Sequence, residues 1–495
     1  GVLDNVDKLM GAQKKKVEEN MESALMSKDL ATIFREVPLD YSLDQMAFGE
    51  FSVEEVVKAF QELKFTSLIA RLNDLTGQED QAADIEICKL TDFDAFIDQV
   101  KDRGQIFMKV FRTDANILDQ DVYMTYLSLG NDKLYRVHGD DILKIRTILE
   151  DEDIEKIGYE MKADYVALKP YGIDLRNMAF DIAIAEYVID SKTSTSYDID
   201  SISSKYIYKT IMSKEDLLGK GAKALDYRQV DLEKLDQYVS GMLSTIIGSY
   251  PKMKKIIDED QLSMLFYDVE MPLVEVLAEM EYAGICVDRD ILSNLAKDFD
   301  EIIDKTEKNI HELAGQDFNV NSPKQLGHIL FEKLGLPVIK KTKTGYSTNA
   351  EVLEKLRDKH EIIDMITEYR SVVKLKSTYV DGIEALVNAK DGRIHSSFNQ
   401  TITTTGRISS TDPNMQNIPV RTDMGRQIRK VFIAGDSMSL VDADYSQVEL
   451  RVLAHMSQDP HMIEAFNSGE DIHRKTASQV FNVDFDQVTP ELRSA

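Results

Sequence analysis

The chain has 495 residues, of which 43% are apolar, and a formal net charge of −28. This composition predicts about three packed domains and excludes a disordered chain, and no apolar run reaches the roughly 20 residues that a membrane-spanning helix needs. Two cysteines exclude a disulfide framework and a multi-cysteine zinc site, and they suit a reducing cytoplasm.

The first hundred residues are polar and strongly charged. The chain begins at Gly1 rather than at Met, which suggests a cut, processed or engineered start. Residues 1 to about 40 are rich in Lys and Glu and predict short helices. Residues 41 to about 100 are acidic and loop-like, with a helical patch at Val53–Leu63.

Strand-like runs follow at Ile106–Phe111, Val122–Leu129 and Leu134–Val137. Helical patterns come next, with a further strand-like run at Tyr165–Leu168. This order predicts an α/β domain that ends near residue 250.

Long helical patterns begin after about residue 267. Apolar residues recur at helical spacing throughout Asp288–Ala314, and Gly315 is a good stop signal. Further helical patterns lie at about 323–335, 349–357 and 361–389. A basic turn, Lys340–Gly345, interrupts them.

The charge is unevenly distributed along the chain. Residues Asn321–Leu440 contain 18 Lys and Arg against 13 Asp and Glu, a net of +5, so the other residues carry −33. An acidic body with one basic segment is compatible with DNA bound along that segment. Ordinary surface variation is the simpler reading of the charge alone.

The stretch Ser439–Phe466 carries the most chemical information. The apolar run Leu440–Ala443 predicts a buried strand, and Asp444 falls at its end, where a carboxylate can face a cleft and bind Mg²⁺. Ser446 and Glu449 then form a capping-box pattern that predicts a helix start. Rigidly held carboxylates of this kind serve phosphoryl transfer, whereas the alternative is an N-capped helix preceded by incidental aspartates.

The preceding segment, TTTGRISSTDPNMQNIPVR at residues 403–421, is rich in hydroxyl, amide and guanidinium groups. Such a loop can place many donors against a sugar–phosphate backbone or a minor groove. A solvated polar loop is the alternative.

Several of these segments resemble the family A DNA polymerases of bacteria. The strings TGRISSTDPNMQNIP and VDADYSQVELRVLAHMSQDPHMIEAF are similar to the start of the family's palm, and the second resembles its motif A. The strings GEDIHRKTASQVFNV and VTPELRSA resemble the approach to the fingers, and NVNSPKQLGHILFEKLGLPVIKKTKTGYST resembles the thumb. The resemblance covers most of the chain from about residue 260 onward and, more weakly, the rest.

The resemblance implies a mixed α/β and α fold: a ribonuclease H-like 3′–5′ exonuclease-type domain, a helical thumb and the first part of a palm. The implied order is a 5′ nuclease remnant at 1–45, a linker at 46–100, the exonuclease-like domain at 101–255, the thumb at 256–395 and the start of the palm at 396–495.

It also implies roles near the reacting groups. Asp444 is expected to bind both catalytic Mg²⁺ ions, with the backbone carbonyl of Tyr445 as a further ligand. Glu449 is expected to exclude a ribose 2′-hydroxyl, a role that competes with capping. His473 and Arg493 are expected near the triphosphate of the incoming nucleotide.

The implied DNA contacts lie on the thumb and the palm. They are Asn319, Asn321, Ser322, Lys324, Lys340, Lys341, Lys343, Asn399, Gln400, Arg407 and Gln416. Contacts to phosphates weaken with salt and carry little sequence information.

The sequence departs from the family pattern in the exonuclease-like domain. Lys109–Arg112 stands where the family has Asp-x-Glu, and Val230 and Lys234 stand in place of a Tyr and an Asp. Asp164 matches a metal-binding Asp, but one acid does not build a two-metal site. This domain is therefore expected to be structural, without proofreading.

Two further departures concern the ends. Residues 1–45 lack the acidic body of a 5′ nuclease, so no flap cleavage is expected. The chain stops at Ala495, before the family's fingers helix and second catalytic carboxylate, so this chain alone is expected not to polymerise.

The expected function is template-directed DNA synthesis in replication and repair, on primer–template DNA with deoxynucleoside triphosphates. A monomer in the bacterial cytoplasm, associated with the nucleoid and with no membrane, is expected. The alternatives are an active 3′–5′ exonuclease and a non-catalytic duplex-binding protein.

Overall fold

A computed structural model describes residues 3–33, scattered positions between 52 and 72, and residues 85–494 apart from 114–116, 192–195, 344, 421 and 470. The chain divides into two compact units, Gly1–Asp80 and Gln81–Ala495.

The first unit contains the short helices that the sequence predicts. A 3₁₀ turn at Leu3–Lys8 precedes helix α1 (Gly11–Glu19) and helix α2 (Met21–Ala31). The predicted helical patch at Val53–Leu63 falls largely outside the described residues.

A mixed sheet organises the first part of the second unit. Its strands are β1 (Glu86–Lys89), β2 (Gln105–Arg112), β3 (Val122–Ser128), β4 (Lys133–His138), β5 (Glu155–Gly158) and β6 (Met178–Asp181). Among the described residues their order is β1-β4-β3-β2-β5-β6, with β3 antiparallel to both β2 and β4 and the other pairs parallel. The strands predicted at Ile106–Phe111, Val122–Leu129 and Leu134–Val137 are confirmed.

Helices cover this sheet. They are α3 (Phe93–Arg103), α4 (Arg146–Leu149), α5 (Met161–Leu168), α6 (Ile182–Ile189), α7 (Ile199–Ile202), α8 (Lys214–Leu218) and α9 (Leu232–Glu259). The buried core of the sheet includes Leu235 and Met242 of α9 and continues to Ala278. The packed α/β part therefore runs past the boundary predicted at residue 255.

Two predictions in this part are wrong. Tyr165–Leu168 lies in helix α5 and not in a strand; these four residues are all buried, so the segment is apolar on every side and shows no helical periodicity. The sheet also begins at β1, inside the stretch predicted as a linker. This strand pairs at the sheet edge with half-exposed side chains, so its apolar signal is weak.

The next part is helical. Its helices are α10 (Ser263–Leu265), α11 (Met271–Ala283), α12 (Arg289–Ala314), α13 (Pro323–Gly327, continued by a π turn to Lys333), α14 (Ala350–Leu356), α15 (Ile362–Leu375) and α16 (Gly382–Leu386). Asp288 caps α12 by accepting from the amides of Asp290 (3.0 Å) and Ile291 (2.9 Å). Gly315 ends it at φ +63°, so the predicted helix and its stop are confirmed.

Short strands and helices complete the chain. They are β7 (Ile285–Val287), β8 (Lys341–Thr342), β9 (Gly345–Tyr346), β10 (Arg393–Ile394), β11 (Ser397–Asn399), β12 (Ser409–Thr411), β13 (Phe432–Ile433), α17 (Asp423–Arg429), α18 (Val448–Ser457), α19 (Pro460–Asn467), α20 (Ile472–Phe481) and α21 (Pro490–Ser494).

In the described chain β7 lies between β10 and β13, β11 pairs with β12, and β8 pairs with β9. Gly284 joins α11 to β7 at φ +61°, where a Cβ would lie 2.8 Å from the carbonyl oxygen of Ile394, so this close turn requires glycine. No helix in the described ranges is long and apolar enough to span a bilayer.

Candidate nucleic-acid interface

A polar groove of about 1130 Å³ lies between α13, the β8–β9 hairpin and α15. Asn321, Ser322 and Lys324 line one side of it, and Thr342 and Gly345 of the hairpin contribute another. The two segments predicted as thumb contacts are therefore close together in space, although about twenty positions separate them in the sequence.

The start of α13 forms one wall of this groove. The Ser322 hydroxyl caps the helix by accepting from the Gln325 amide at 3.4 Å. The Asn319 side chain accepts from the Asn321 amide at 2.9 Å and fixes the preceding turn. The side chain of Asn321 donates to the hydroxyl of Tyr369 at 3.3 Å. Lys324 is exposed.

The hairpin carries the predicted lysine cluster. Lys340, Lys341 and Lys343 are all exposed, and the Lys341 ammonium lies 5.5 Å from the centre of the Tyr346 ring. Lys355 and, at longer range, Lys340 lower the pKa of Glu351. The predicted lysine cluster provides positive charge for a polyanion at one edge of the groove.

Sequence reasoning missed three further basic side chains that line the groove. His328 lies on the continuation of α13, and Arg370 and Lys374 lie on α15. Arg370 is half-buried and donates to the carbonyl of Thr348 at 2.5 Å; burial lowers its pKa. The spacing of Arg370 and Lys374 on one face of α15 is the signal that could have found them.

A second polar surface surrounds the β11–β12 ladder. Asn399 is half-buried, and Arg407 in the connecting loop is exposed. Gln416 is exposed and holds the loop by donating to the carbonyl of Ile408 at 2.6 Å. Gln400 differs from this set because it is 8% exposed and its amide donates to Glu270 at 2.9 and 3.1 Å. The amide nitrogen of Gln400 is thus bonded within the protein, and its contact with DNA stays a prediction.

The segment around Asp444 does not form the predicted buried strand. Residues 436–446 are exposed and have no strand assignment, and Val441 is 89% exposed. A strand needs partners for its backbone amides and carbonyls, and no described strand pairs with this segment. The Asp444 carboxylate is exposed and makes no ion pair with the described residues.

The predicted capping box is also wrong. Helix α18 begins at Val448, its N-cap is Gln447 in a left-handed conformation, and no described side chain caps it. The start is one residue later than predicted, so Glu449 is not opposite the cap amide. The Glu449 carboxylate instead accepts from the guanidinium of Arg407, which joins two predicted site residues.

Asp471 brings together the two residues predicted near the triphosphate. It caps α20 by accepting from the amides of His473 (3.0 Å) and Arg474 (3.3 Å), and it pairs with Arg493 at 2.7 Å. Although burial opposes it, the Arg493 hydrogen bond keeps the pKa of Asp471 below its ordinary value. His473 and the Arg493 side chain are exposed.

The ligands expected for Mg²⁺ are oxygen atoms, which this ion prefers, but the described residues do not provide a complete set of them. The carboxylate of Asp444 and the carbonyl of Tyr445 are hard oxygen ligands, and Tyr445 is 83% exposed. Within the described ranges no three His, Cys, Asp or Glu side chains gather into a metal site.

The exonuclease-like part contains a buried ion pair where its metal site is expected. The Lys109 ammonium lies 2.8 Å from an Asp164 oxygen and donates to the carbonyl of Tyr159 at 2.7 Å. Lys109 is 6% exposed and Asp164 is 1% exposed. A fixed cation thus lies against the one acid that matches the family's metal ligands.

The electrostatics of this pair follow from its burial. Desolvation raises the pKa of Asp164 to about 7, and the Lys109 ammonium limits that rise. Val230 is buried, and Lys234 donates to the carbonyl of Asp216 at 3.2 Å. Neither adds an acid to the pair.

A ribonuclease H-like sheet joined to a helical region with a basic groove defines a nucleic-acid-processing protein. Comparisons with known proteins agree. The family model "DNA polymerase family A" matches residues 289–495, and the model "DNA polymerase I, ribonuclease H-like domain" matches residues 116–239.

Individual relatives match almost the whole chain. DNA polymerase I of Bacillus subtilis (strain 168) is 39% identical over 502 residues, which cover 99% of this chain and 56% of that protein. DNA polymerase I of Caldicellulosiruptor bescii is 36% identical over 501 residues, 100% of this chain and 55% of the relative. The chain thus spans little more than half the length of these curated relatives.

A solved structure is also similar: the POL domain of Pol1 from M. smegmatis in complex with DNA primer-template and dNTP. It superimposes with a TM-score of 0.70 at 32% identity, covering 82% of this chain and 69% of that one. The chain belongs to DNA polymerase family A.

Proposed function

We propose that the protein containing this chain carries out template-directed DNA synthesis in replication and repair, using primer–template DNA and deoxynucleoside triphosphates. The exposed Asp444 carboxylate, just before α18 in a segment covered by the family A model, carries this proposal. The M. smegmatis relative was solved with primer–template DNA and dNTP, which supports the same partners here. The test is Mg²⁺-dependent extension of a primed template by the complete protein, with no extension of a blunt duplex.

Different residues of this chain have different proposed roles at the reacting centre. Asp444 and the Tyr445 carbonyl would hold Mg²⁺, which activates the attacking hydroxyl and neutralises phosphate charge when bound. His473 and Arg493 would bind the triphosphate, for which Arg493 must leave Asp471. Glu449 would exclude a ribose 2′-hydroxyl while Arg407 contacts the primer's minor groove.

One carboxylate does not fix two metal ions, so we expect this chain alone not to add nucleotides. An apolar strip on residues 438–456 supports further polypeptide packing here in the complete protein, since Val441 and Met456 are 89% and 77% exposed. A non-catalytic duplex-binding protein is the alternative. A reading frame that continues past residue 495 with a second acidic turn favours synthesis, and a stop codon there favours the alternative.

The proposed domains keep the predicted order, but the exonuclease-like part changes at both ends, since its core continues to Ala278. We propose that residues 1–45 correspond to the C-terminal end of a 5′ nuclease domain and are followed by a linker. The exonuclease-like domain starts near residue 85, because β1 belongs to its sheet. The thumb precedes residue 396, and the start of the palm follows it.

Replacing Lys340, Lys341 and Lys343 together with alanine is expected to weaken duplex binding. Removing one cation from a phosphate lowers the slope of log K against log salt by about 0.9, so the triple variant should show a slope smaller by roughly 2 to 3 units. Fluorescence anisotropy with a labelled duplex between low and moderate salt measures both quantities.

A matched variant replaces the exposed Lys89, Lys101 and Lys223 of the exonuclease-like part. It removes the same net charge, and its slope of log K against log salt should stay within about half a unit of the wild-type slope, since these lysines lie away from the groove. If the variant that lacks Lys340, Lys341 and Lys343 showed an unchanged slope, the β8–β9 hairpin would not contact the DNA phosphates.

We propose that the exonuclease-like domain does not proofread, because the Lys109 ammonium holds Asp164 and the other acids of the family pattern are replaced. Incubation with end-labelled single strands and Mg²⁺ should give no shortening above a buffer control. Steady trimming that disappears in Asp164→Ala would establish the exonuclease alternative instead.

Synthesis on chromosomal DNA predicts a cytoplasmic, nucleoid-associated protein. We propose that it works as a monomer, since the residues proposed to contact primer–template and nucleotide all lie in one chain.

A further inference from the structure

The ribonuclease H-like part holds strand β11 through a half-buried lysine. Lys162 of α5 donates to the carbonyl of Phe398 and lies 2.5 Å from a Glu281 carboxylate oxygen. The same oxygen accepts from the amide of Phe398 at 2.7 Å, and Glu281 is 7% exposed. Both polar backbone groups of Phe398 are therefore fixed from outside the β11–β12 ladder.

A second contact reaches the loop beyond β11. The hydroxyl of Tyr187 on α6 donates to the carbonyl of Thr403 at 2.8 Å, and Tyr187 is 5% exposed. The Thr403 hydroxyl in turn donates to the carbonyl of Arg407 at 2.6 Å. Arg407 pairs with Glu449 at the start of α18. A continuous series of contacts thus runs from α6 to Glu449.

The loop needs this support. Residues 404–407 are exposed, and Gly406 adopts φ +76°, so the loop contributes little packing of its own. A side chain that meets a reactant from such a loop is effective only if neighbouring groups hold it in place.

We propose that Lys162 and Tyr187 are positioning residues for DNA synthesis: they hold the 397–407 loop so that Arg407 is presented to the primer. This inference rests on the proposed function. It also gives the exonuclease-like domain a task that does not require hydrolytic acids, namely supporting the polymerase's DNA-contacting loop.

The first experiment uses this chain without DNA. Amide hydrogen exchange is compared for wild type, Tyr187→Phe and Lys162→Met. Because a net hydrogen bond contributes a factor of about two to ten, exchange within residues 397–407 should become roughly three- to tenfold faster in each variant. The ring of Tyr187 remains in Tyr187→Phe, so its packing is retained.

Two controls remove the same chemical groups from positions that do not contact the loop. Tyr206→Phe removes a buried hydroxyl that contacts Glu186 of α6 at 2.5 Å. Lys169→Met removes an ammonium that contacts Glu279 of α11 at 2.6 Å. Neither residue contacts the loop, so exchange in 397–407 should stay at the wild-type rate. Equal acceleration by the controls would show that the effect is general destabilisation and would overturn the proposal.

The second experiment is a double-mutant cycle on primer–template affinity. Tyr187→Phe should weaken binding about three- to tenfold, and Arg407→Ala about tenfold, but the double variant should be no weaker than Arg407→Ala. Multiplicative losses would overturn the proposed action through Arg407. A wild-type chain with no duplex affinity would instead contradict the proposed function, while the exchange data would still decide whether the loop is held.

Discussion

Asp444→Ala in the complete protein is expected to slow nucleotide addition at least about a thousandfold, which corresponds to roughly 4 kcal/mol of transition-state stabilisation. The carboxylate is exposed, makes no described ion pair and is the proposed ligand of both metal ions. It neutralises no phosphate, so the affinity for primer–template DNA should change by less than about twofold. Single-turnover extension and equilibrium binding measure the two effects separately.

The neighbouring Asp442 provides a matched control. It is an exposed carboxylate in the same segment, and no role at the metal is assigned to it. Asp442→Ala should extend primers at close to the normal rate. Extension by Asp444→Ala at a tenth of that rate or faster would show that the metal role is wrong.

The sequence predicts the helices of this protein better than the segment around Asp444. Helix α12 is specified locally by its apolar spacing, the Asp288 cap and Gly315, all of which the structure contains. A strand depends on partners far along the chain, and Leu440–Ala443 has no described partner, so its apolar pattern alone gave the wrong prediction.

The candidate site shows the same contrast between features that the local sequence specifies and features that depend on distant residues. The thumb segments carry recognisable residue strings, and the structure brings them to one groove. Arg370 was missed because its role depends on which face of α15 meets the groove. The loss of exonuclease acids was predicted from the sequence, whereas the pairing of Lys109 with Asp164 joins residues 55 positions apart and required the structure.

Lys109→Met is expected to lower the free energy of unfolding by about 3–5 kcal/mol at pH 8, since it leaves a charged carboxylate buried without its partner. Asp164 is 1% exposed, and one of its oxygens already has no hydrogen-bond partner. The double variant Lys109→Met with Asp164→Leu removes both charges and should recover most of the loss. Urea unfolding followed by circular dichroism measures these differences.

The same pair predicts a pH dependence whose sign follows from the raised pKa of Asp164. Between its ordinary value of 3.8 and about 7, the folded protein binds this proton more tightly than the unfolded chain. The contribution of Asp164 to the free energy of unfolding therefore falls as pH rises through this window. In Lys109→Met no ammonium opposes the desolvation of Asp164, so the free energy of unfolding should continue to decrease to higher pH. In the double variant, which lacks Asp164, this decrease should be absent.

The exposed ion pair between Lys133 and Glu86, in neighbouring strands of the same sheet, provides the control. Lys133→Met should lower the free energy of unfolding far less than Lys109→Met does, because solvent screens the pair. If Lys109→Met were no more damaging than Lys133→Met at pH 8, Asp164 would have to be neutral or hydrated in the folded protein. The Lys109 ammonium would then not act as the fixed substitute for a metal ion.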